Sequence, residues 1–157
     1  MTKTDFDELC ARSAGLLGND APLAEGDGHL IAKDEVDVIL TFNEDIDSES
    51  IACYFDLGRP SDVDRPAFCE HLLELNLRHH RTLGGVYGFE SQSGRAIYLQ
   101  NYEMDPDHPL IPAEFLEWAR SVIHAVAPAR QALQFPQRAR NSLATPDIGS
   151  EINPYFA

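Results

Sequence analysis

Between residues 64 and 77 the chain puts apolar side chains on two stripes of a single helix. Phe68, Leu72 and Leu75 fall on one stripe, and Cys69, Leu73 and Leu77 fall on another. Together they cover more than the roughly 100° arc needed by a helix that packs on one surface. Asp64 can cap this helix, and Pro66 sits in its first turn, where a missing N–H costs nothing. Both sides must be buried. Either the rest of the chain wraps the helix, or one stripe packs on its own sheet and the other on a second subunit.

The surrounding pattern supplies that sheet. Residues 29–32, 36–42 and 51–57 read as short strands in an antiparallel meander. In the second, Val36, Val38, Leu40 and Phe42 share one face while Asp37 and Thr41 share the other, as a half-buried sheet requires. Past Gly84 and Gly85, residues 86–90 and 95–102 form a hairpin around a polar turn at 91–94. Upstream, Phe6, Leu9, Cys10, Ser13, Leu16 and Leu17 predict a helix over 5–17, with Thr4 as its N-cap and Gly18 as its stop. Downstream, Phe115, Leu116, Ala119, Val122, Ile123 and Val126 predict a third helix ending at Pro128.

The expected fold is therefore an α+β domain over residues 1–128. Its antiparallel five-stranded sheet is flanked by three helices, in the order α-β-β-β-α-β-β-α. Residues 129–157, with Pro136, Pro146 and Pro154 among scattered apolar residues, predict an extended or partly disordered C-terminal tail. Arg130, Arg138 and Arg140 against Asp147 and Glu151 make that tail slightly basic on an otherwise acidic chain.

Charge narrows the partners. Twelve basic residues against 26 acidic ones give a formal charge of −14, which repels phosphate backbones and anionic bilayers. Neither nucleic acid nor membrane is an expected partner. Apolar residues make up 43% of the chain, enough for one core, yet no run of about 18 of them could span a bilayer. The first residues turn acidic where a secretory signal needs an apolar core, so the expected location is cytoplasmic. Cys10, Cys53 and Cys69 are odd in number and lie in apolar patterns, which reads as reduced thiols.

No group of residues has the spacing that catalysis or metal binding requires. His71, His79 and His80 lack the i, i+4 relation of a helical zinc pair. Asp45, Asp47 and Glu49 begin like a calcium loop, but Ser50 stands where that loop needs glycine. Cys69 and His71, two apart on a helix, point in different directions. The glycines at 26, 28, 84 and 85 lack the lysine of a phosphate cradle. The chain is not expected to be an enzyme or to need a cofactor or metal. An enzyme would have to gather dispersed residues, for example His29, Asp56 and Tyr98 at a sheet face.

The order of elements resembles the class I type III secretion chaperones, the Tir-chaperone family. The first helix ends in Leu16-Leu17-Gly18, and Gly28-His29-Leu30-Ile31-Ala32-Lys33-Asp34 and Val36-Asp37-Val38-Ile39-Leu40 follow. The fullest match is Leu72-Leu73-Glu74-Leu75-Asn76, leading to Leu83-Gly84-Gly85-Val86-Tyr87-Gly88-Phe89 and Ala96-Ile97-Tyr98-Leu99. In the last helix it is Phe115-Leu116 with Trp118-Ala119.

The resemblance implies a homodimer joined through residues 66–77 and Val86–Phe89, with Phe68, Leu72, Leu75, Val86, Tyr87 and Phe89 at the interface. It also implies an effector whose unfolded N-terminal segment wraps the dimer and stays soluble and secretion-competent. Leu9, Leu16, Leu30, Ile39 and Tyr54 are the candidate effector-binding residues. A regulatory domain of the same fold with a folded partner is the alternative.

Overall fold

Helix α1 (Lys3–Leu16) starts two residues before the expected point because a capping box forms there. The Thr2 hydroxyl accepts from the Asp5 N–H, and the Asp5 carboxylate accepts from the Thr2 N–H, so Thr2 and not Thr4 is the N-cap. The structure, a computed structural model, describes residues 1–18, 23–25, 28–30, 36–79, 83–105 and 107–134.

The next elements are β1 (Leu23–Glu25), β2 (Gly28–Leu30), β3 (Val38–Asn43) and β4 (Asp47–Gly58), then α2 (Arg65–His79), β5 (Val86–Phe89), β6 (Ala96–Glu103) and α3 (Pro112–Gln134). The strands make one antiparallel sheet in the order β1-β2-β3-β4-β6-β5. All five expected strands are in it, and the three-residue β1 extends its edge.

The alternation read in the sequence sets the layers. Val36, Val38 and Leu40, with Ile51, Cys53, Phe55 and Leu57 of β4, are buried in one core with residues of all three helices. Tyr98 of β6 joins them, and its ring lies between Phe55 and Tyr87. Phe115 and Trp118 of α3 close on Tyr102 and Phe55 as an aromatic cluster.

On the opposite face, one register row runs Val86, Leu99, Tyr54, Ile39 across four strands, and on the backbone it continues through Leu30 to Leu23.

The turn into β5 depends on two glycines. Gly84 takes φ +74°, and a β-carbon on Gly85 would stand 2.5 Å from the Leu99 carbonyl and 2.6 Å from the Tyr98 ring. The Tyr98 hydroxyl donates to the Leu83 carbonyl just upstream, so the close approach fixes the loop to the sheet.

Helix α3 does not stop at Pro128. It continues to Gln134, with Pro128 exposed and Ala129 buried beside it. The break in the backbone ladder therefore falls on the solvent side, while the apolar side keeps packing. Leu133 reaches the end of β4, 3.6 Å from where a β-carbon of Gly58 would sit. Of the expected tail, residues 135–157 lie outside the described residues.

Candidate functional site

Two cavities flank helix α1 and meet at Arg12 and Pro112. The larger, about 420 Å³, lies between the first turns of α1, the start of β4 and the link from β6 to α3. Met1, Leu9, Met104, Leu110 and Pro112 give it apolar walls. The smaller, about 310 Å³, is bounded by Gly15, Leu16, Ile111 and Ala113. Together they make a groove that follows α1 from its first turn to its last. Leu16 and Ile111 are exposed along it, and Leu9 forms its buried floor.

Of the candidate effector-binding residues, this groove gathers two, Leu9 and Leu16. Ile39 and Tyr54 are cross-strand neighbours on the sheet face opposite the core, which no helix covers among the described residues, so they belong to another surface. Leu30 pairs with Ile39 along the backbone. The groove walls Met104, Leu110 and Ile111 went unnoticed in the sequence because they stand in the proline-punctuated link before α3, which shows no periodicity.

A second surface lies at the far side of the sheet. The expected interface residues Phe68, Leu72, Leu75 and Tyr87 are buried inside the protomer itself, and Phe89 is half-buried against Phe68. They pack α2 onto β5, so little of their surface remains for a partner. The other stripe points out: Leu73 is 67% exposed and Leu77 77% exposed, with Val86 of β5 at 56%. Asn76 explains why these lie together. Its side-chain amide donates to the Tyr87 carbonyl at 2.9 Å and accepts from the Tyr87 N–H at 2.7 Å. That pair of bonds draws the chain neighbours Leu77 and Val86 to one edge.

The dispersed trio does not converge. His29 faces the α1 side and bonds Asp7 at 3.0 Å, and Tyr98 is in the core. Asp56 alternates onto the opposite face, where Arg95 holds its carboxylate. The register decides this: Asp56 lies next to the inward Phe55 and so must face outward. Asp47 accepts from the Glu49 N–H and the Ser50 hydroxyl, so its carboxylate builds the hairpin at the start of β4. Among the described residues, no group of His, Cys, Asp and Glu could hold a metal ion, and no helix is long and apolar enough to cross a membrane.

The model of the Tir chaperone protein (CesT) family matches residues 10–126, from α1 through most of α3. This chain belongs to that family. The Tir chaperone fold recurs in a chain of the crystal structure of the ExsC-ExsE complex, with a TM-score of 0.60 at 17% identity, covering 84% of this chain and 93% of that one. It recurs again in the structure of the HopA1-SchA chaperone-effector complex, with a TM-score of 0.56 at 12% identity, covering 84% and 99%. No curated protein sequence matches the chain. Membership of the Tir chaperone family makes this a chaperone-family protein, and the similar folds agree in architecture over 84% of this chain.

Proposed function

We propose that this chain is a cytoplasmic, non-enzymatic chaperone for a type III secreted effector, whose N-terminal segment it holds extended and competent for secretion. The observation that carries this reading is the groove along α1, walled by apolar residues of the link from β6 to α3 and bordered by the start of β4. A continuous groove suits a segment that buries side chains at separated points, and an acidic surface keeps the complex soluble. The family and the chaperone-effector complex of similar fold support the same reading.

The working unit is a homodimer joined through the outward stripe of α2, Leu73 and Leu77, together with Val86. A lone protomer leaves these large apolar side chains in water.

Co-expression with an effector followed by limited proteolysis tests the function. The complex is expected to protect one N-terminal stretch of the effector, and Leu16→Asp is expected to remove that protection while the chaperone stays folded. A bound effector that is protected as a folded domain, with its N-terminal segment digested, would favour a regulatory domain instead.

A further inference from the structure

The groove is not electrically neutral. Asp5, Glu8, Glu49 and Asp105 all line its larger cavity. Each cation there is already held by the protein's own groups, Arg12 by Glu8 at 3.6 Å and the Met1 ammonium by the Ser48 carbonyl at 3.0 Å, and the Asp105 carboxylate is engaged by the His108 ring at 2.6 Å. Asp5 is turned back on Thr2 in the capping box. Glu49 is different: it is exposed, and among the described residues its carboxylate has neither an ion pair nor a hydrogen bond.

Below this rim the walls are soft. The chain has only two methionines, Met1 and Met104, and both border the cavity beside Leu9 and Leu110. Unbranched thioether side chains adapt to apolar partners of varied shape, so such walls discriminate poorly among leucine, isoleucine and methionine. Discrimination has to come from the rim.

We infer that the groove selects cationic apolar segments, in which leucine-sized anchors alternate with arginine or lysine. The anchor enters between Met1, Leu9, Met104 and Leu110, and the neighbouring cation meets Glu49. A segment with glutamate at that place would meet like charge at the rim, within the field of a molecule carrying −14. The inference rests on the client-binding reading and adds the chemistry of the client to it.

The test uses the full-length protein and three short fluorescent peptides with identical leucine and isoleucine positions, whose intervening residues are arginine, serine or glutamate. Fluorescence anisotropy is expected to show the arginine peptide binding about tenfold more tightly than the serine peptide at low salt. The gap should close as salt screens the exposed rim. Glu49→Lys should weaken the arginine peptide about fivefold and so narrow its lead over the serine peptide, with Glu49→Gln in between.

Equal affinity for the arginine and glutamate peptides would overturn the inference, and an arginine preference untouched by Glu49→Lys would overturn it as well by placing the site elsewhere. Neither result bears on effector protection, which proteolysis of the co-expressed complex reads separately. Failure of the charge preference and failure of the chaperone reading are thus distinguishable.

Discussion

The Asn76 side chain takes both backbone hydrogen-bonding groups of Tyr87, presenting to the outer edge of β5 the same donor and acceptor that another strand would offer. One amide therefore closes the middle of an edge strand and ties α2 to the sheet. Asn76→Ala leaves a buried residue's N–H and carbonyl without these partners and is expected to cost about 2 kcal/mol. Urea unfolding checks it: the midpoint falls while the slope stays constant.

The two stripes of α2 should respond differently to substitution. Leu73→Asp changes an exposed side chain, so the protein is expected to remain folded and elute from gel filtration as a monomer. Leu72→Ala, at a site 3% exposed, should instead cost about 3 kcal/mol through the cavity it opens. A Leu73→Asp protein that light scattering still finds dimeric would remove this stripe from the interface.

The last turns of α3 contribute to the fold. A chain ending at Pro128 loses buried Ala129 and half-buried Ala132 and Leu133, and it is expected to be about 2 kcal/mol less stable than a chain ending at Gln134. Equal thermal midpoints for the two truncations would show that the helix beyond Pro128 contributes nothing to stability.

The thiols should separate by reactivity. Burial pushes Cys10 up to about 12 and raises Cys53, so neither forms thiolate near pH 8. Cys69 is only half-buried. Iodoacetamide is expected to label Cys69 alone in the native protein and all three after unfolding, as intact mass reports.

Some of this was legible in the residues and some was not. The alternation of Val36, Val38 and Leu40 identified the inward face of β3, since a period of two leaves only two choices and Asp37 rules out one of them. The double stripe of α2 was legible too, but its direction was not. Phe68, Leu72 and Leu75 are as apolar as Cys69, Leu73 and Leu77, and periodicity gives an angle between stripes without saying which one meets the sheet.

Nothing local marks the role of Asn76, because its partner stands across a loop, eleven residues later. Local propensity disfavours Pro128 within a helix and so predicts a stop there. The packing of Ala129 and Leu133 outweighs that local term. The groove draws on the start of α1, the start of β4 and the link before α3, segments far apart in the chain with no shared motif.

The placement of the two surfaces acts as a ruler. From Val86, opposite Leu99, to the groove at Met104 is a step of five residues along β6, and β4 and β5 lie on either side of that strand. On ordinary strand dimensions this separation is about 20 Å. Two protomers joined at α2 would then hold their grooves up to about 40 Å apart, a distance that an extended chain crosses in about 12 residues. A segment too short for the span between the two grooves fills one but not both, so length as well as composition would set which clients gain from the second site.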